Sequence, residues 1–529
     1  MSSESFHPPA ARNQTEVFAV QGADPEVLAY AMAKYSRSAL SMRESLSEIS
    51  RQRAEEFLNT FYFQYGHRSI ADLAHIAFAI ERLSLLAAIV LVDEQRWDGQ
   101  ERSTRYQNFL KSGWYLPDFG TDSASVQLYS ETIDKLFAVY QRTTAAVLES
   151  LRRRVPCPAS LQPEAYQRTL KARAFDVARY LLPLATNTSL GQIVNARTLE
   201  TQVSRLLSHP AAELRDLGVK LREAATGPAW NVNAQPAQAL AEKIAAADPA
   251  LADEAAGLLT RELRSAPTLV KYAQASDYLQ QTQVELTQAA AELLAGQPIA
   301  AAPVVDLVER TESLEVELAS TLLYSAAHHS YRQIRDLVAG LPASRVAEII
   351  EIGLRHRGRH DEALRAFHAG AALRFDILMD IGGFRDMHRH RRCTQIIQPF
   401  TTLHGYETPT SGDLGPEVHI LAEAGVLAAF QSAVERAHAA SARLNASAAP
   451  EAAQSALYLL PLATRIRSLF KMDFAEAQYI IELRSGPAGH FSYRRVAWEM
   501  YLALQRQHPA LAQQIRVTDF TRPIDLLQR

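Results

Sequence analysis

The heptapeptide Tyr-Leu-Leu-Pro-Leu-Ala-Thr occurs twice in this 529-residue chain, at Tyr180–Thr186 and again at Tyr458–Thr464. Its wide separation indicates two copies of a whole domain, because the units of solenoid proteins recur every ~20–50 residues. The length agrees with this, since single hydrophobic cores stop growing beyond about 250–300 residues. The sequence therefore predicts a tandem duplication.

We predict a first copy at 1–227, an Ala-rich helical connector at 228–303 and a second copy at 304–529, because alanine favours helices. Asp24 as N-cap, with Pro25 at the first helical position, predicts the start of a helix. The segment Ser69–Val92 is so rich in apolar residues that it predicts a buried helix, or a helix followed by a strand. Ala371–Met387 is predicted to be a second buried apolar helix.

The composition excludes several classes of protein. The chain is 47% hydrophobic with a formal net charge of −3, whereas nucleic-acid and membrane-surface binding need a net basic field. The only cysteines, Cys157 and Cys393, are too few for a disulfide framework and favour a reducing compartment. Met1–Gln14 lacks the apolar core of a signal peptide, and the apolar run Leu85–Val92 is shorter than a membrane span. We expect a cytoplasmic protein that binds neither membrane nor nucleic acid.

Two polar stretches of the first copy are candidate anion sites. The segment Gly66–Ser69 precedes the apolar run and could hold an anion with its amides and hydroxyl, although Ser69 could equally be an ordinary helix N-cap. Arg102 and Arg105 follow a polar turn, and their planar, paired donors suit a phosphate. A solvated loop is the alternative for this second stretch.

The second copy carries five consecutive cationic or titratable residues at 388–392, followed by Cys393. A metal site formed by His388, His390 and Cys393 is disfavoured, because no further ligand stands nearby and the arginines would repel a cation. A nucleic-acid patch is disfavoured too, since one short basic run lacks a multi-phosphate footprint. A site for a small anionic ligand is the favoured interpretation.

In order and approximate spacing, these motifs resemble the flavin-dependent thymidylate synthase family. In the second copy, Arg389-His390-Arg391 is similar to the family's Arg-His-Arg signature, and Arg484 follows Pro461 as the family's late arginine follows its proline. The matching positions of the first copy are Gly66, His67, Ser69, Phe78, Glu81, Ser103, Arg105, Tyr106, Ala178, Arg179, Pro183, Asn195, Ala196, Arg197 and Arg205.

The resemblance implies an α+β fold (mixed α/β, helix-rich), with FAD bound at subunit interfaces. It also implies reductive methylation of dUMP to dTMP with methylenetetrahydrofolate and NADPH. From the residues themselves we expect no metal. Family members usually form tetramers, so a homodimer of these two-copy chains is expected. The implied residues are Glu101, Ser103, Arg105, Arg179, Arg389 and Arg484 for substrate; Arg484, Ser103 and Arg205 for catalysis; and His67, Ser69, Asp72, Gln100, Asn195, Arg197, Arg389, His390 and Arg391 for cofactor.

Neither copy has the full set of motifs, but their losses are complementary. The Arg-His-Arg position reads Asp-Glu-Gln at 93–95 in the first copy, while the Ser-x-Arg-Tyr position reads Pro399–Thr402 in the second. The early arginine of the second copy is replaced by Leu457. We therefore predict one composite site, with Ser103, Arg105 and Arg179 facing Arg389 and Arg484 within one chain or between two chains.

Two alternative functions remain open. Asp386 stands where the family usually has an uncharged polar residue, and a carboxylate beside a phosphate costs affinity unless an arginine neutralises it. One alternative is therefore a flavin- or nucleotide-binding homologue without thymidylate synthase activity. The other is a non-catalytic scaffold in which the duplicated fold serves only protein interactions.

Overall fold

The computed structural model describes residues 18, 20, 22–34, 42–48, 70–270, 273–309, 312–358, 361, 363–368, 372–409, 418–447, 449–513 and 515–527. The chain divides into two compact units. The first unit lies within 1–75 and 224–271, and the second within 76–223 and 272–529. Most described residues of both predicted copies therefore belong to the second unit.

The described part of the first unit is helical, with helices Pro25–Lys34, Met42–Glu48, Ala234–Ala247 and Ala252–Leu259. The helix predicted from Asp24-Pro25 begins at Pro25, which confirms that start. Glu26 on its first turn is buried and accepts the backbone N–H groups of Thr268 and Leu269 at 2.9 and 2.6 Å. Those two bonds tie the helix to the segment after the Ala-rich helices.

The described residues contain seven strands, which form two sheets and, apart from His75 at the start of β1, belong to the second unit. They are β1 (His75–Ser84), β2 (Asp98–Glu101), β3 (Asn187–Asn195), β4 (Val305–Leu307), β5 (Leu373–Asp380), β6 (Thr394–Ile397) and β7 (Arg465–Met472). The strand order is β1-β3-β2 in the first sheet and β4-β5-β7-β6 in the second. The order β5-β7-β6 repeats the order of the first sheet, as the predicted duplication requires.

The remaining described helices confirm a helix-rich α+β fold. They are Leu85–Leu91, Ser123–Arg154, Pro163–Ala178, Ala196–Leu207, Ala212–Thr226, Asp277–Leu293, Leu314–Tyr324, Tyr331–Ala339, Ala343–Arg355, Ile381–Met387, Ile420–Glu423, Leu427–Asn445, Pro450–Ser455, Phe474–Ser485, Phe491–Gln507 and Pro509–Ala512. In both copies, a strand and a short helix are followed by a second strand, then by two or more helices of which one is long, and then by a third strand and another helix.

The predicted helices over Ser69–Val92 and Ala371–Met387 are wrong. Each apolar stretch instead forms a strand, β1 or β5, that runs directly into a helix of seven residues. In β5, the polar residues Arg374, Asp376 and Asp380 alternate with apolar residues in the pattern of a strand, and they are buried as well. Overall apolar content therefore did not indicate the secondary structure of these segments.

The two heptapeptides pair with each other through reciprocal backbone hydrogen bonds. The Leu184 N–H donates to the Leu460 carbonyl at 2.9 Å, and the equivalent Leu462 N–H donates to the Leu182 carbonyl at 3.0 Å. A second reciprocal pair of bonds lies beside the first. Equivalent atoms of the two copies exchange the same hydrogen bonds. This is the geometry of a two-fold homodimer contact, here formed within one chain.

Both copies also share one hydrophobic core. Tyr129 and Leu136 of the long helix Ser123–Arg154 belong to the same buried cluster as Phe430 and Val434 of Leu427–Asn445. These two helices pack against each other. Since the cluster continues into residues of β5 and β7, neither copy buries this core alone.

Candidate functional site

Arg105 is held in place by residues of both copies. It lies after β2, where its guanidinium pairs with Asp176 of helix Pro163–Ala178, with Nε at 2.8 Å from Oδ1. Nη1 donates to the Tyr493 hydroxyl at 3.0 Å, and Nη2 donates to the Ala488 carbonyl at 3.2 Å. The side chain is buried and its orientation is fixed before any ligand binds.

Arg179 begins the 3-10 turn that carries the first heptapeptide, and only 2% of its surface is exposed. Both Nη atoms lie 3.3 Å from Oδ2 of Asp386, which belongs to helix Ile381–Met387 of the second copy. Nη1 also lies 3.4 Å from the Thr104 hydroxyl. The early arginine of the first copy therefore contacts the second copy within the same chain.

Arg484, His390 and Glu476 form a short chain of polar contacts in the second copy. Arg484, near the end of helix Phe474–Ser485, donates from Nε to Nε2 of His390 at 2.8 Å. The other ring nitrogen of His390 lies 3.6 Å from the Glu476 carboxylate. Burial and Arg484 lower the pKa of His390 despite the opposing effect of Glu476. A neutral ring with its proton on Nδ1 satisfies both partners and orients Arg484.

Arg105, Arg179, Arg389 and Arg484 form what we call the arginine cluster, with Asp386 as its acidic residue. Burial raises the pKa of Asp386, but the four guanidinium groups together lower it below the usual value. The ring of Tyr493 lies near two of these arginines, 5.8 Å from Cζ of Arg105 and 5.3 Å from Cζ of Arg484. A small anion could meet several cationic donors here.

Glu101 and Ser103 precede Arg105 in the sequence, and each has its own hydrogen-bond or ion-pair partner. The Glu101 carboxylate pairs with Arg385 of the second copy. The Ser103 hydroxyl accepts the backbone N–H of Arg105 at 3.2 Å, which stabilises the loop. Sequence reasoning missed Asp176 and Tyr493, since these contacts of Arg105 span 71 and 388 residues and belong to no local motif.

Arg391 is the second cationic feature of the basic run. Its guanidinium lies over the Trp97 ring, with Cζ 4.4 Å from the centroid. Among the described residues, its buried Nε and Nη2 atoms find no hydrogen-bond partner. Burial lowers the pKa of Arg391 to about 10, an effect that Asp98 opposes and Arg389 reinforces. These features make Arg391 a candidate for an anionic group other than the one in the arginine cluster.

The other predicted cofactor residues are more dispersed. Asn195 is the N-cap of helix Ala196–Leu207, where its side chain accepts the Thr198 N–H at 2.8 Å, and Arg197 follows on the first turn. Gln100 is exposed on β2, and Asp72 lies in a turn of the first unit. His67 and Ser69 lie outside the described residues.

Arg205, predicted to be catalytic, is not brought to the arginine cluster. Its Nη2 pairs with Glu94 at 2.7 Å, at the Asp-Glu-Gln position of the first copy. The neighbouring Asp93 pairs with Arg365 and lies 3.1 Å from Nε2 of His388. Despite burial, these two partners lower the pKa of Asp93 well below its usual range. Internal ion pairs thus occupy the position that is reciprocal to the arginine cluster.

The described residues also limit other kinds of site. No group of three or more His, Cys, Asp or Glu side chains among them is placed to hold a metal ion. His388 instead stacks on Phe384, and the Cys393 thiol donates to the His390 carbonyl at 3.1 Å. Within the described ranges, every helix is too short or too polar to cross a bilayer.

Comparison with known proteins gives one family. The family model described as "Thymidylate synthase complementing protein" matches residues 18–227 and 307–510. The two matches fall within the two predicted copies and together span most of the chain. A protein of Chlamydia muridarum named "UPF0159 protein" is 29% identical over 538 residues, which cover 94% of this chain and 91% of that relative.

Shorter matches reach proteins that resemble one copy. A "Flavin-dependent thymidylate synthase" of Clostridium tetani is 24% identical over 177 residues, covering 33% of this chain and 67% of the relative. A solved structure of thymidylate synthase X (ThyX) from Helicobacter pylori with FAD and dUMP is 17% identical, with a TM-score of 0.26. It covers 38% of this chain and 90% of that chain, an overlap that by itself establishes no shared fold.

Proposed function

We propose that this chain converts dUMP to dTMP with FAD, methylenetetrahydrofolate and NADPH. The chain belongs to the thymidylate synthase complementing protein family, which supports this reaction. The arginine cluster is the main observation in favour, since cationic side chains of both copies converge on one acidic residue. A phosphate monoester requires several charge-assisted donors in one place. The name of the Clostridium tetani relative supports the same reaction.

The cluster suggests how the nucleotide would bind. Arg105 and Arg179 would hold the phosphate from the first copy, and Arg389 would approach it from the second. Asp176 and Asp386 already fix the first two guanidinium groups, so little side-chain freedom would be lost on binding. Arg389 is exposed and would cover the phosphate from the solvent side.

Arg484 is the residue that we assign to charge stabilisation. Transfer of a one-carbon unit to C5 requires negative charge on the uracil ring, and a preoriented guanidinium in a closed site stabilises such charge. His390 holds Nε of Arg484, and Glu476 faces the other side of the imidazole. Ser103 would be a hydrogen-bond partner of the nucleotide, and its hydroxyl has no adjacent base that would make it a nucleophile.

The surroundings of Arg391 fit an anionic part of FAD. The described residues supply no partner for two of its buried nitrogen atoms, which are costly to leave unpaired, and a phosphate oxygen would satisfy them. Asn195 and Arg197 are the candidates from the first copy. When bound, FAD supplies the hydride and the one-carbon chemistry, while the protein binds, orients and polarises.

Removing these cations should release the cofactor. We expect the double variant Arg389→Ala/Arg391→Ala to purify without flavin, because both changes remove positive charge from the same run. The visible absorption spectrum of the purified protein measures this. Arg392→Ala is the matched control, since that exposed arginine forms a surface ion pair with Asp473, with 3.0 Å between Nη2 and Oδ2. Unchanged flavin content in the double variant would remove the second copy from the cofactor site.

Tritium release from dUMP labelled at C5 tests the activity itself. We expect release that requires methylenetetrahydrofolate, NADPH and flavin together. A yellow protein that binds dUMP without release would favour the catalytically altered homologue, an alternative that the Asp386 carboxylate in the cluster supports. A colourless protein that binds no nucleotide would favour the scaffold.

We also propose that two chains associate into a homodimer, which would supply the four copies of a family tetramer. Tyr479 and Leu483 lie one turn apart on helix Phe474–Ser485 and are 55% and 49% exposed. Adjacent exposed apolar side chains are typical of contact surfaces. Light scattering should give twice the 58.6 kDa chain mass. A mass near one chain at micromolar concentration would contradict this expectation.

A further inference from the structure

Asp386 stands between solvent and the most deeply buried member of the arginine cluster. Its side chain is 21% exposed, whereas that of Arg179 is 2% exposed. One carboxylate oxygen, Oδ2, lies 3.3 Å from both Nη atoms of Arg179. A ligand that arrives from solvent therefore reaches Asp386 before it reaches the terminal donors of Arg179.

The rest of Arg179 offers few other donors to a ligand. Nη1 is shared with the Thr104 hydroxyl, and the part of the chain that the structure describes offers the buried Nε no hydrogen-bond partner. The Gly382 position lies close to this nitrogen, since a Cβ added there would lie 3.6 Å from Nε. A phosphate can thus engage Arg179 mainly through the two nitrogen atoms that Asp386 occupies.

We propose that Asp386 is an internal competitor of the ligand's phosphate, which occupies Arg179 in the free protein and lowers the affinity of the cluster for anions. The identity of the ligand as dUMP rests on the proposed function, whereas the competition concerns any phosphate. A carboxylate within about 4–6 Å of a phosphate repels it, and it also neutralises the cation that the phosphate would use. Four guanidinium groups then face two carboxylates, Asp176 and Asp386, so the remaining charge suits a dianionic phosphate monoester.

The carboxylate of Asp386 stays ionised through the neutral range, because the arginine cluster lowers its pKa even though burial raises it. Its competition is therefore present under ordinary assay conditions and cannot be removed by mild acid. Substitution is the direct way to remove it. Asn keeps the shape and one acceptor oxygen, and Gln is a second uncharged amide.

The test is calorimetric titration of the full chain with dUMP, deoxyuridine and inorganic phosphate. For Asp386→Asn and Asp386→Gln we expect dUMP and phosphate affinity to rise about tenfold or more, since like-charge contacts are costly at binding surfaces. Deoxyuridine, which lacks the phosphate, should bind with unchanged affinity. Asp473→Asn is the matched control, because that carboxylate pairs with the exposed Arg392 outside the cluster.

Weaker or unchanged phosphate and dUMP binding in both variants would overturn the inference, because Asp386 would then only hold Arg179 in position. An equal gain for dUMP and deoxyuridine would overturn it too. Failure of both variants to fold would identify Asp386 as a structural partner and would also contradict it. A gain for inorganic phosphate without any dUMP binding would keep the inference and reject the proposed function.

Discussion

Replacing Arg179 with alanine is expected to weaken dUMP binding about 30-fold or more. Truncating one member of a buried, hydrogen-bonded charge pair commonly costs 2–5 kcal/mol, in part because the other charge loses its partner. Arg179 is almost fully buried and is joined to the second copy through Asp386. Titration calorimetry and kcat/KM for tritium release both measure the loss. Arg389 is exposed, so Arg389→Ala should weaken dUMP binding less than Arg179→Ala does.

The two arginines act on one ligand, so their losses should not add. We expect the double variant Arg179→Ala/Arg389→Ala to bind little worse than Arg179→Ala alone. Thr401→Ala is the matched control at the reciprocal position, and it should leave dUMP binding nearly unchanged. Asp93 is unsuitable as a control, because its removal would leave Arg365 and His388 without their acidic partner. Fully additive losses would indicate two separate sites.

Replacing Arg467 with alanine is expected to lower the free energy of unfolding by about 3–5 kcal/mol, as breaking buried ion pairs does. Nη1 of Arg467 lies 2.9 Å from Asp376, and both side chains are at most 2% exposed. Asp376 also accepts the Tyr324 hydroxyl and the Tyr331 N–H. Loss of Arg467 would therefore leave the buried Asp376 carboxylate without its cationic partner, between the second sheet and its helices.

Urea unfolding followed by circular dichroism measures this effect. Arg465→Ala is the matched control on the same strand, since Arg465 pairs with Glu407 at 2.9 Å but is 35% exposed. Such partly exposed pairs contribute about 0–1 kcal/mol. Equal destabilisation by the two variants would show that burial of the Arg467–Asp376 pair is not the source of its contribution.

The sequence was most informative where the same residues recur in both copies. The repeated heptapeptide predicted the duplication, and the structure gives a physical reason for its identity, because both copies use the same backbone atoms in one reciprocal contact. The complementary loss of arginines predicted which residues would converge. Arg105, Arg179, Arg389 and Arg484 all lower the pKa of Asp386, and their convergence on one nucleotide stays a prediction.

Local patterns were less informative where contacts are distant in the chain. High apolar content predicts a helix over β5, although Arg374, Asp376 and Asp380 alternate there with apolar residues in the pattern of a strand. Tyr493 reaches Arg105 only through the packing of the last long helix, and no motif marks it. The pairing of Arg205 with Glu94 likewise depends on two segments that are 111 residues apart. Such partners are determined by tertiary packing and not by spacing.

A crystal structure with bound dUMP tests the composite site most directly. We expect nucleotide density beside Ser103, Arg105, Arg179 and Arg389, with the uracil ring next to Arg484. We expect no nucleotide at the reciprocal position, where Asp93 and Glu94 are already paired with cations. Density beside 93–95 and 399–402, with none beside Ser103 and Arg389, would contradict a composite site.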